Sequence, residues 1–260
     1  MMKEKDCLLL KKRFDDYVNS FRDSDSNLCN KLQEKLEHII RVSDNATFIA
    51  RKEGWEDFDI SIAELCGLFH DIGRFSQYIK YRTYNDSESV NHGEHGYNII
   101  LQNNLFAGIP IDDCQSILNA VRFHNSLEIP NELDESSLRF TKLVRDADKL
   151  DIFYMLTEAI RTGTIEMHRD LLWNLPMGEP NPIIVNKLLA NKQALYSEIK
   201  SGTDVCLLHL CWLYGMNFDA SLIKLEQNNT VDLLYSIMTK NSDVDCCIKH
   251  IRNYLNHRVN

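Results

Sequence analysis

Two candidate metal ligands stand side by side in the tract LCGLFHDIGRFSQY, residues 65–78. His70 and Asp71 close a run apolar enough to be core. An imidazole beside a carboxylate is informative only if other segments bring more ligands. His124 shares a helical row with Ile117 and Val121 and should point inward, where a lone histidine reads as a satisfied core residue. In SVNHGEHGYNII, His92 shares its row with Gly96 and Ile99, one of which leaves room for close approach. His95 lies with Asn91, Asn98 and Gln102 and reads as solvated. FTKLVRDADKLDIFYM offers Asp146, Asp148 and Asp151. Asp148 lies with Val144, Ile152 and Met155 and should face the interior, whereas Asp146, among Arg139, Lys142 and Lys149, reads as a surface acid. A buried carboxylate needs a cation or several donors, because desolvating its charge is costly. His38, beside Val42 and Ile49 with Arg41 nearby, lies off the main apolar stripe and by itself reads as a surface histidine.

Taken together, His38, His70, Asp71, His92, His124 and Asp148 give four imidazoles and two carboxylates on different expected helices. Such donors suit Mn, Fe, Co, Ni or Zn better than Ca, which prefers all-oxygen shells. Six side chains can hold two ions, with Asp71 bridging, and neighbours at a helix end can reach one ion from two directions.

Helices are what must position these groups. Residues 26–53 place Leu28, Leu32, Leu36, Ile39, Ile40, Ser43 and Ala46 at helical spacing, with Ser24 and Ser26 as candidate caps and Gly54 as the stop. Asp59 or Ser61 starts the next helix, and others are expected over 87–104, 112–124 and 136–162. WNLPMGEPNP is a loop whose last residue, Pro182, can open a helix. Helices near 183–201, 203–214, 219–240 and 243–257 complete the chain. No run alternates long enough to require a sheet. The expectation is a single all-α domain, with a core over about 26–160 and a helical extension over about 165–260.

The bulk numbers narrow the function. With 260 residues, 44% hydrophobic and 26% charged, the chain can bury a substantial core. A net charge of -9 argues against nonspecific binding to nucleic-acid polymers or anionic membranes. No stretch is apolar enough to span a bilayer, and MMKEKDCLLLKKRFDD lacks a signal-peptide pattern. The eight cysteines form no CxxC pair, so they read as reduced thiols packed as small apolar side chains, and a cytoplasmic protein is expected.

The segments HIIRV, LFHDIGRF, NHGEHG, RFHN and RDADKLD resemble, in order, the successive motifs of the HD-domain superfamily of metal-dependent phosphohydrolases. The longer tract HDIGRFSQYIKYRTYNDSESVNHG resembles a bacterial, HDIGRF-type subgroup described only as hydrolases. The resemblance implies an all-helical HD bundle with additional C-terminal helices. It implies His38, His70, Asp71 and Asp148 as the mononuclear ligand set, with His92 and His124 completing a second position. One or two divalent transition-metal ions (Mn, Fe, Ni, Co or Zn, with Mg allowed) would activate water against a phosphoester of a nucleotide or related small molecule.

Asp71 would bridge the ions and orient the water. Arg74 and Lys149 would contact phosphate, or else pair with nearby acids. Gly73 would permit the turn after the HD pair, and Asp86 and Ser89, or Ser87, would cap the helix bearing His92. The cyclic-dinucleotide branch carries a GYP signature where this chain has FHNSLEIPNEL, so that substrate is not inherited. The (p)ppGpp hydrolase branch carries further domains for which this chain has no room. A di-iron oxygenase on the same ligands and a noncatalytic, metal-stabilised binding or signalling module are the rival readings. Residues 165–260 match no motif and are read as helices that cover the core or form a homodimer contact.

Overall fold

The computed structural model describes residues 2–259, and among them every regular element is helical. Contacts divide the chain into two compact units, one up to Asp151 and one from Ile152 onward. The first contains α1 (Glu4–Asn19), α2 (Asn30–Lys52), α3 (Asp57–Phe69), α4 (Gly73–Tyr81), α5 (His92–Gln102), α6 (Ile111–Phe123) and most of α7 (Glu135–Arg161).

α1 was not expected, yet it has a clear cause. Cys7, Leu10, Phe14 and Val18 recur at three- and four-residue spacing and are all buried. α2 begins at Asn30; Ser26 lies outside it with φ 64°, and neither it nor Ser24 acts as the cap. α2 and α3 cross closely at Gly67. A Cβ there would lie 2.6 Å from Ser43 Cα, so any larger residue would force the helices apart.

The HD pair lies between α3 and α4. Backbone bonds from Ile72 to Phe69 (3.1 Å) and from Arg74 to Asp71 (2.9 Å) tighten the chain into a three-residue turn. All of this backbone stays in the right-handed region, so Gly73 is not needed for the turn itself. Its role is close approach: a Cβ on Gly73 would meet His92 O at 2.8 Å and Gly96 N at 2.7 Å. α4 can therefore lie directly against α5, which carries His92.

The second unit contains the end of α7, α8 (Pro182–Leu189), α9 (Gly202–Cys211), α10 (Asp219–Gln227), α11 (Thr230–Ile237) and α12 (Ser242–Val259). Pro182 opens α8 as expected, but that helix stops at Leu189. The helix expected over 219–240 breaks at Asn228–Asn229, where Asn229 takes φ 53°. Every residue of α9 is buried. The carboxylate of Asp204 accepts backbone N–H bonds from Asn181 (2.6 Å), Lys200 (2.9 Å) and Ser201 (3.1 Å), which satisfy the loop ends entering α9. All eight cysteines are free; six are buried as expected, whereas Cys29 and Cys246 are exposed.

α9 also buries His209, whose ring lies edge-on to Trp212 and Phe153 at centroid distances of 4.5 and 6.0 Å. Burial pushes this imidazole down to about 4. Its folded pKa thus lies below its unfolded value of about 6.5. As pH falls from about 6.5 toward 4, the unfolded chain binds a proton that the folded chain refuses, and stability decreases. Thermal midpoints should therefore drop less across this window in His209→Leu than in the wild type. Equal pH slopes would count against this account.

Candidate metal centre

All six expected ligands converge in the first unit. His38 comes from the middle of α2, His70 and Asp71 follow α3, His92 opens α5, His124 ends α6, and Asp148 lies within α7. The two carboxylate oxygens of Asp71 face different histidine pairs. Oδ2 lies 3.5 Å from Nε2 of both His38 and His70. Oδ1 lies 3.5 Å from His92 Nε2 and 3.7 Å from His124 Nε2. Asp148 Oδ1 joins the first pair, 3.2 Å from His38 Nε2. Two groups could therefore each hold an ion: His38, His70 and Asp71, and Asp71, His92 and His124.

The outward nitrogen of every imidazole is fixed. His70 Nδ1 donates to the Gly67 carbonyl (2.7 Å) and His124 Nδ1 to the Val121 carbonyl (2.8 Å). A carbonyl can only accept, so these contacts place the proton on Nδ1 and leave Nε2 as a lone pair aimed into the site. His38 Nδ1 donates to Asp151 Oδ2 (2.7 Å), and His92 Nδ1 to Asp86 Oδ2 (2.6 Å). Outer partners of this kind orient metal-binding imidazoles and raise their basicity.

The inward atoms fit a cation. His70 Nε2 and Asp71 Oδ1 are buried and have no hydrogen-bond partner. With both Nδ1 atoms donating outward, the lone pairs of His92 Nε2 and His124 Nε2 meet at 3.0 Å, which is repulsive unless positive charge is shared between them. Burial takes His70 down to about 3, only partly offset by Asp71 and Asp148, so it is a neutral donor near pH 7. Burial opposes charge on His38 too, but Asp148, Asp151 and Asp71 together raise it to about 10. A cation here therefore displaces a proton. Burial also works against the Asp71 carboxylate, yet Lys35, then His70 and Arg74, hold it well below the ordinary carboxylate range.

Asp148 keeps 29% of its side-chain surface exposed against 5% for Asp71, so it stands at the mouth of the site rather than in its interior. Several single-residue readings change. His38 is buried, not superficial, because carboxylates surround it. Asp146 is fully buried on α7 rather than a surface acid, with Lys149 and Arg145 charged nearby; Arg139 instead pairs with Asp59 and stacks on Trp55. His95 is half-buried and meets Ser76 Oγ at 2.8 Å. Asn91, not Ser87 or Ser89, caps α5 by accepting from Glu94 N. Asp86 accepts from the His92 backbone (3.2 Å) and also holds that residue's ring.

Arg74 donates through Nη1 to Gln77 Oε1, the Tyr84 carbonyl and Asp86 Oδ1 at 2.7–2.9 Å, and its Nε faces Asp71 Oδ1 at 3.5 Å. Lys149 is half-buried, and burial lowers its pKa against the opposing charge of Asp146. Sequence reasoning assigned no role to Asp151 or Lys35. Asp151 lies three residues after Asp148, so the helical spacing in DADKLD already put both on one face. It also takes Arg41 Nε and Nη2, at 2.5 and 3.0 Å.

Among the described residues the regular structure is all helical, and it gathers a buried histidine–carboxylate cluster whose two groups could hold a metal ion. The HD domain family model matches residues 36–152, a span that holds all six candidate ligands, so that segment is similar to an HD domain. Comparison with curated proteins and with solved structures finds no match.

Proposed function

We propose that this protein is a binuclear, metal-dependent phosphohydrolase acting on a nucleotide or related small phosphorylated molecule. The observation that carries the reading is the division of Asp71, one oxygen toward His38 and His70 and the other toward His92 and His124. Divalent transition-metal ions held there would supply a water acidic enough to attack at neutral pH and positive charge for the phosphoryl oxygens. The chain's own residues do the rest. Asp71, with one oxygen toward each histidine pair, would orient that water between the two positions. Asp86 and Asp151 hold the His92 and His38 rings against rotation. Arg74 keeps the Asp86 loop on α4, and Lys149 offers an ammonium beside Asp148 for phosphate.

The charge balance favours this class. Asp71, Asp86, Asp148 and Asp151 offset two divalent ions, and the Lys35, Arg41 and Arg74 cations then leave net positive charge, which favours an anionic occupant such as a phosphoester. Elemental analysis should find close to two transition-metal ions per chain, and a phosphoester screen with Mn, Co, Ni and Fe should find turnover. Metal-supplemented protein that binds no ion would end the reading. Oxygen consumption by the iron form without phosphoester turnover would replace it with an oxygenase.

A further inference from the structure

The cations around the centre are not equivalent. Arg41 is bound to Asp151, Arg74 to Gln77, Tyr84 and Asp86, and Arg145 to the carbonyls of His124 and Ser126. Lys35 differs in that Asp71 is its direct hydrogen-bond partner, whereas Arg74 Nε, the other cation facing that carboxylate, stands 3.5 Å from Oδ1 and its Nη1 is committed elsewhere. Its ammonium contacts Asp71 Oδ2 at 3.0 Å, and that oxygen is the one His38 and His70 share. A cation bound by those three residues competes for the same lone pairs and weakens Lys35's hold on its anion.

The side chain is nonetheless braced where it is. Lys35 lies one helical turn before His38 on the same face of α2. Its Nζ sits 5.4 Å from the centroid of the Tyr84 ring, and Tyr84 donates through its hydroxyl to the Lys31 carbonyl (2.8 Å), a further turn back along α2. Only 18% of the Lys35 side chain is exposed, so its ammonium points into the cleft rather than into bulk water. Lys35 also precedes the first residue of the family match at 36.

We propose that Lys35 is an anion-contacting residue of the centre, giving its ammonium to a phosphoryl oxygen of the occupant once the ions have claimed Asp71. The proposal rests on the phosphohydrolase reading, but its test can be separated from that reading. Mn-loaded wild type, Lys35→Met and Lys35→Arg are titrated with inorganic phosphate by calorimetry, and bound Mn is counted in each. A charge-assisted hydrogen bond of ordinary strength predicts phosphate binding about 10- to 100-fold weaker in Lys35→Met. Lys35→Arg should recover most of the loss, and Mn content should be unchanged in all three. Where a substrate is found, kcat/KM should follow the same order.

Unchanged phosphate affinity in Lys35→Met, or no phosphate binding by the wild type, overturns the proposal. Loss of Mn in Lys35→Met does so too, because Lys35 would then support the ligands rather than the occupant. Lys35-dependent phosphate binding in a protein that hydrolyses no phosphoester would uphold the contact and remove the activity reading. Hydrolysis unaffected by Lys35→Met would do the reverse.

Discussion

In Asp71→Ala, bound metal falls from close to two ions per chain to near zero, and turnover is lost. Both candidate groups contain Asp71, so one truncation removes the only carboxylate of one group and the shared anion of the other. Losing an outer partner of a metal ligand typically costs 10- to 100-fold in affinity, and losing a bridging anion should exceed ~100-fold. The variant also leaves Lys35 and Arg74 facing a site stripped of its central negative charge. Thermal shift supplies an independent readout. A ligand that binds only the folded state stabilises it, so chelation should lower the wild-type midpoint and leave that of Asp71→Ala unmoved. Asp71→Asn, which keeps the shape but not the charge, should behave the same way. Normal metal content in either variant would show that these residues are not the site.

Asp86→Ala should empty one position and spare the other. Asp86 holds His92 through both ring and backbone, and no contact ties it to His38 or His70. Without it the His92 ring is free to turn its lone pair away from Asp71. The second equivalent of metal should then bind about 10- to 100-fold more weakly, while the first is retained. A metal titration followed by the visible spectrum of bound Co resolves the two steps. If both equivalents weaken together, or neither does, the assignment of Asp86 to one position is wrong.

The convergence of these six residues was legible because His92, His124 and Asp148 sit on rows with apolar or small members, and because five motifs occur in order. What escaped the sequence depends on partners brought from afar. His38 looks exposed by its own row, and only Asp148 and Asp151, more than a hundred residues on, make its burial tolerable. Asp146 reads as a surface acid among Arg139, Lys142 and Lys149, yet it is buried with Lys149 nearby while Arg139 is committed to Asp59 and Trp55. The helix expected after Gly54 ends at Phe69 and a turn is allowed after the HD pair, but no element is expected over Gly73–Tyr81, which is too short to show a clear apolar period. The break at Asn228–Asn229 was written in the residues, since asparagine tolerates the left-handed region, but the apolar spacing runs on across it.

The ring anchors give the centre an approximate twofold character about Asp71. Each side carries one imidazole backed by a carboxylate, His38 or His92, and one backed by a carbonyl of its own helix end, His70 or His124. An entering ion therefore meets nearly the same pair of nitrogens on either side, and selectivity between the positions falls to Asp148, which only the His38 side possesses. The His92 side has one carboxylate fewer, so an ion held there should exchange first on dilution.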